Sequence, residues 1–277
     1  TKMKIIFLKL GLILNICLCQ VDQSYRLVNK YDLNKAIKVS SGTSTEMRFK
    51  GIDIVTNFSA ILNTTLVDST DESYKFNLMF EKIIAVQKNG EKTKPIHKMN
   101  KLNGEIFSLS VDKERNVIEK SAKTKFGEEF LAQSPTFQEN YLYPFGSDSL
   151  RKPGDSWVVL TEQELNEQPG FKSAEGLVTS KITYTFKKVK RKKDINIAYI
   201  NFNGIINSEG YYDVMGHSMK GTNQGTTKGQ IRFDITNGKI LRNKTETDIK
   251  LSMLDIESEK EMKFQQIISV SVKNKDD

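Results

Sequence analysis

The residues that could carry chemistry are few. The chain has two histidines, His97 in KPIHKMN and His217 in VMGHSMK, and two cysteines, Cys17 and Cys19, both near its start. General-base or nucleophilic catalysis needs such groups to converge on one reacting atom. Here the two histidines lie in unrelated contexts. Ser218 follows His217, but no GxSxG elbow is there to present a serine. HExxH, calcium-loop spacing and GxxxxGK[ST] are missing as well. Acidic pairs such as Asp71-Glu72 and Glu128-Glu129 are common in any polar chain, and glycosidase carboxylates carry no fixed spacing, so the pairs favour no reaction. The expectation is a protein that is not an enzyme, with no catalytic, cofactor-binding or metal-ligating residues.

Two other features suit binding rather than reaction. The run KKVKRKK holds six cations, Lys187, Lys188, Lys190, Arg191, Lys192 and Lys193. It could meet phosphate, anionic lipid or an acidic polymer, or it could be the solvated tip of a hairpin, since strand-like sequence flanks it. No nucleic-acid partner is expected. The second feature is GHSMKGTNQGTTKGQ, with Gly216, Gly221, Gly225 and Gly229 at spacings of five, four and four. It reads either as a loop over a cavity mouth or as a polar strand whose glycines permit twist and close approach.

The start of the chain bears on where these features work. Lys2, Lys4 and Lys9 flank or interrupt the apolar runs Ile5–Leu8 and Leu10–Ile16, and no acid precedes Asp22. A basic start, a short apolar stretch and a polar exit make up a secretory signal. A membrane-spanning helix needs about 20 apolar residues. Residues 1–19 are therefore expected to be a signal peptide, with export to the periplasm, the outer envelope or the medium. A lipoprotein would instead keep and acylate Cys19, although Leu18 is a poor residue before a lipidated cysteine. Membrane contact is expected only through such an anchor. Cleavage after Cys19 would leave a chain with no thiol and no disulfide, held by its core alone. It would also lower the net charge from +8 to +5; setting aside the six cations of KKVKRKK brings it to −1, so basicity is local.

The elements that must position any site are strands. Tyr74, Phe76, Leu78 and Phe80 alternate with polar neighbours, as do Phe107, Leu109 and Val111. The same holds for Ile182, Tyr184 and Phe186, for Ile231, Phe233 and Ile235, and for Met262, Phe264, Ile268, Val270 and Val272. Period-two alternation predicts one dry and one wet face per strand, hence antiparallel sheets. Asn89-Gly90 and Asn237-Gly238 are hairpin signals. A change of apolar parity from Ile195, Ile197 and Tyr199 to Ile200 and Phe202 predicts a bulge near Ala198. Only residues 122–142 show helical spacing, through Phe126, Phe130 and Leu131, and they predict one or two short helices. In PGDSW, Pro153-Gly154 predicts a type II turn. Trp157, the single tryptophan, is expected to anchor the strand that follows, against the alternative of an exposed indole stacking on sugar.

NGEIFSLSVDKERNVIEKS, from Asn103, resembles KGQIRFDITNGKILRNKT, from Lys228, and FEKI (Phe80 to Ile83) resembles FKKV (Phe186 to Val189). Two similar halves, about 22–121 and 151–277, could thus be joined by a helical segment 122–150 within a single β-rich domain, 20–277.

The order of Tyr143-Pro144-Phe145, PGDSW, ITYTF, NIAYINFNG and GQIRFDITNGKI, after YKFNLMFEKI and LNGEIFSLSVD, resembles an uncharacterised family of secreted or lipid-anchored bacterial envelope β-proteins, a domain of unknown function. The resemblance implies an all-β envelope protein and supplies no catalytic residues. The fold expected is all-β and mainly antiparallel: one large curved sheet, a half-barrel or two packed sheets. The function expected is non-catalytic, with two alternatives. A curved sheet could hold an apolar or lipid-like ligand against Tyr74, Phe76, Phe80, Tyr184 and Phe186, or these rings could simply pack the core. Otherwise the protein is structural or adhesive and meets an anionic envelope component through its basic run.

Overall fold

The computed structural model describes residues 24–27, 30–49, 52–112, 117–133, 150–164, 174–214 and 217–275. The expected signal segment, Cys19 and residues 134–149 lie outside them.

Among the described residues, fourteen strands form: β1 (Tyr25–Arg26), β2 (Ala36–Phe49), β3 (Ile52–Ser69), β4 (Ser73–Asn89), β5 (Lys92–Pro95), β6 (Ile106–Asp112), β7 (Val117–Ala122), β8 (Leu150–Arg151), β9 (Ser156–Glu164), β10 (Ala174–Lys192), β11 (Ile195–Val214), β12 (His217–Asp234), β13 (Lys239–Asp255) and β14 (Glu261–Asn274). Twelve make one antiparallel sheet that does not close, in the order β7-β6-β4-β3-β2-β14-β13-β12-β11-β10-β9, with β5 added beside β4. β1 and β8 pair separately. Chain neighbours are mostly sheet neighbours, the usual result of hairpin connections. The join of β2 to β14 unites the two ends of the sequence at the middle of the sheet.

The turn signals act as expected. Gly90 and Gly238 have φ of +56° and +63°. In PGDSW, Gly154 has φ +102°, the Asp155 N–H donates to Lys152 O at 3.0 Å, and Asp155 Oδ2 accepts the Lys152 N–H at 2.8 Å. The glycine-spaced segment is strand β12 rather than a loop. A Cβ at Gly229 would collide with the Phe202 ring, so the glycine admits that ring across the strand pair.

One helix forms among the described residues, α1 (Lys125–Gln133), beside a short 3-10 helix, His97–Leu102. Thr124 starts α1. Its hydroxyl accepts the Gly127 N–H at 3.1 Å and donates to Glu105 at 2.7 Å, while its own N–H donates to the same carboxylate at 2.8 Å. Buried Glu105 thus satisfies helix-start donors that would otherwise lack partners.

Two aromatic clusters sit on one face, at opposite ends of the sheet. The first gathers Leu62, Phe76, Leu78, Phe80, Phe107 and Leu109 beneath Phe126, Phe130 and Leu131 of the α1 region. The second gathers Trp157, Phe186, Ile200, Phe202, Ile231 and Phe233 beneath Tyr25 and Leu27.

FEKI and FKKV do share a local structure. Phe80 faces Leu62 and Lys82 faces Ile61, so Glu81 is an extra residue; Phe186 faces Ile200 and Lys188 faces Tyr199, so Lys187 is extra. Each phenylalanine carbonyl accepts a glycine N–H at 2.7 Å, from Gly104 and Gly154 respectively. The hairpins compared with them are placed differently: β6 lies beside β4, whereas β11 separates β12 from β10.

The bulge expected near Ala198 is therefore on the partner strand. β11 keeps unbroken register with β12 from Ile197 to Val214. The parity change arises because β11 is dry on both faces there: Ile197 is buried on one side, Ala198 and Ile200 on the other.

Candidate functional site

Cross-strand partners share a sheet face, so the register sorts every strand residue onto a dry face, carrying the clusters, or a wet one. The five rings expected to face a ligand all lie on the dry face and fall into both clusters. Phe76, Phe80 and Phe186 are 0–1% exposed. Tyr74 leans on Phe76, and Tyr184 stacks on Trp157 with centroids 5.5 Å apart. The structure does not bring the five together. They are core, because an open sheet must cover its apolar face and these are its largest side chains. Trp157, 8% exposed, is likewise an anchor, with Arg151 5.0 Å from its ring. Burial pushes the Tyr184 hydroxyl up to about 12.

The cavity worth attention is elsewhere. A groove of about 970 Å3 crosses seven strands, from β4 to β11. One wall is the cross-strand row Val86, Asn57, Ser44, Ser269, Glu246, Lys228 and Asn203. The other is Ile84, Ser59, Gly42, Ser271, Lys244, Gln230 and Asn201. Alternation puts both rows on the wet face, opposite Ala60, Ala85, Ile200 and Ile231. The row between them, from Phe58 to Phe202, turns its side chains to the dry face and forms the floor. At about 4.8 Å per strand the groove runs about 30 Å. Its walls carry mainly hydroxyls and amides, with Gln230 Nε2 donating to Asn201 Oδ1 at 3.3 Å. One ion pair lies along the first wall, Lys228–Glu246 at 2.8 Å, and its hydrogen bond raises the Lys228 pKa. At the β4 end the walls become apolar, through Val86 and the 47%-exposed Ile84.

Two residues beyond the second wall runs a row of cations. Lys188 faces Tyr199, Tyr199 faces Arg232, Arg232 faces Arg242, and Arg242 faces Lys273. Tyr199 has Arg232, Lys188 and Lys190 within 5.4–5.9 Å of its ring. Buried Nε of Arg232 has no hydrogen-bond partner. Asp234, one step further along β12, is occupied by Asn237, whose N–H and Nδ2 donate to it at 3.0 and 2.7 Å.

The basic run is split by its strand. Lys188, Lys190 and Lys192 share the groove's face, Arg191 points the other way, Lys187 is the bulge residue and Lys193 sits in the turn with φ +52°. Arg232, Arg242 and Lys273 were not singled out in the sequence. They are scattered through three strands, and only the meander aligns them; their one sequence signal is that each falls at a wet-face parity. His97 opens the 3-10 helix and His217 opens β12, on different elements. No group of three or more His, Cys, Asp or Glu among the described residues could hold a metal ion. No family model and no curated protein matches the chain.

Proposed function

We propose that the protein is a non-catalytic, exported envelope protein that holds an extended ligand in the groove on the wet face of its sheet. The groove itself carries this reading: two parallel walls, mainly of hydroxyl and amide side chains with Lys228, Lys244 and Glu246 among them, spanning seven strands. Most wet sheet faces bristle with long charged side chains. Here serines, asparagines and one glycine leave a trough, and hydroxyls and amides in it can pair with a neutral polar chain. On the dry face the large rings fill the two clusters. Export is supported by the basic and apolar start of the sequence, with Cys19 as the lipid attachment point if that cysteine is retained. The resemblance to secreted envelope β-proteins points the same way.

Filling the trough tests the reading. In Ser44→Trp/Ser269→Trp, two indoles would stand between the walls at the middle of the sheet. Binding to a panel of soluble neutral and acidic oligosaccharides should fall at least about tenfold, the loss of one good contact, with an unchanged thermal transition. Unchanged binding to every panel member that the parent protein binds would refute the groove.

A further inference from the structure

The cationic row says what kind of chain the groove takes. We infer that the groove and the row beside it form one binding surface for a linear acidic polysaccharide, with the sugar hydroxyls in the trough and the acid groups on Arg232, Arg242 and Lys273. The inference rests on the groove reading and narrows it.

Three observations carry it. First, Arg232 and Arg242 are direct cross-strand partners, and like charges placed so destabilise a sheet. Lys273 extends the row on the next strand, and none of the three has an ion pair among the described residues. Such an arrangement is stable in isolation only at a cost, and an anion removes that cost. Second, Arg232 finds no acceptor within the protein for its buried Nε and no ion pair among the described residues, so the charge of its guanidinium is left for an outside carboxylate or sulfate, a strong acceptor. Third, the row runs parallel to the groove wall that holds Lys244, Gln230 and Ser271, one side-chain step away. Cations from successive strands repeat at about 4.8 Å, which suits a chain with one acid group per sugar ring. A lone anion would need one cation pair, and a neutral glycan none.

The same cations could attract an anionic bilayer. A flat headgroup layer would be drawn equally to the exposed lysines across the face, such as Lys75, Lys88 and Lys250, whereas a chain lying in the groove meets the row and the wall lysines Lys228 and Lys244 and stays clear of those three. The full-length exported protein is therefore titrated with alginate oligomers, with neutral dextran, and with 7:3 phosphatidylcholine:phosphatidylglycerol vesicles. Each is measured for the parent, for Arg232→Gln/Arg242→Gln/Lys273→Gln, and for Lys75→Gln/Lys88→Gln/Lys250→Gln, which loses equal charge elsewhere on the face. Alginate should bind the parent. Loss of the row should weaken it at least about tenfold at 0.15 M salt and cut the slope of log affinity against log salt by about two, from three lost counterion-releasing contacts. The other triple variant should change affinity less than about threefold. The row variant should melt no lower than the parent, because like charges have been removed. No alginate binding, or equal losses in the two variants, would overturn the inference. Binding to vesicles but not alginate would replace it with a membrane contact. If dextran binds as well as alginate and the row variant leaves both unchanged, the acid specificity fails while the groove survives; if neither polymer binds, both fail.

Discussion

The two faces of this sheet are built from the same strands and obey opposite rules. On the dry face, side chains are large and converge: Phe80 meets Phe58, Phe107 and Phe130, and Phe186 meets Tyr25, all with centroids 5.6–6.4 Å apart. On the wet face the middle of the sheet carries mostly small polar side chains, and beside the Lys228–Glu246 pair Arg232, Arg242 and Lys273 form a row of like charge. The first pattern maximises burial. The second sets like charges side by side, an arrangement that a sheet alone does not favour.

The largest expected effects lie on the dry face. Phe80→Ala and Phe186→Ala should each cost about 3–5 kcal/mol in urea unfolding, the usual loss for a fully buried aromatic. Similar losses would show that the shared bulge and glycine contact matter more than the different lids. A loss below about 1 kcal/mol at either site would break the contrast between the faces.

A smaller effect comes from pH. Tyr184 ionises at about 12 in the fold, against 10.0 in the unfolded chain. A raised folded pKa holds the neutral form, so its stability contribution is complete below pH 10 and is lost as pH rises from 10 to 12. Two units correspond to about 2–3 kcal/mol. The parent should therefore lose more stability than Tyr184→Phe between pH 9.5 and 12 in thermal melts. Parallel curves would place that hydroxyl in water.

Much of the dry face was legible in the sequence because burial leaves a period-two imprint. Phe76, Leu78 and Phe80 identify their strand without help, as Asn237-Gly238 and Pro153-Gly154 identify their turns. Two features were harder. The parity change from Ile195, Ile197 and Tyr199 to Ile200 and Phe202 predicts a bulge on β11, whereas the extra residue is Lys187 on the neighbouring strand; a parity change reports burial on both faces as readily as a bulge. The groove left almost no imprint. Ser44, Ser269 and Gly42 look like ordinary polar positions, and Arg232, Arg242 and Lys273 become a row only when register is known. KKVKRKK drew notice by being contiguous, yet its strand divides its cations between faces.

The smallest effect sharpens the wet-face rule. Arg242→Gln should stabilise the protein by about 0.2–1 kcal/mol by removing a like-charge pair across strands β12 and β13, read as a higher urea midpoint with an unchanged slope. Destabilisation would mean that Arg242 serves the fold.

The most direct test asks which face a ligand touches. In methyl-labelled protein, Ile84 and Val86 report on the groove, while Leu62, Leu78 and Ile200 report on the dry face. Adding alginate oligomers should shift the first two in a saturable way and leave the other three in place. Shifts confined to Leu62, Leu78 and Ile200, with Ile84 and Val86 unmoved, would contradict the account and put the ligand among the core aromatics.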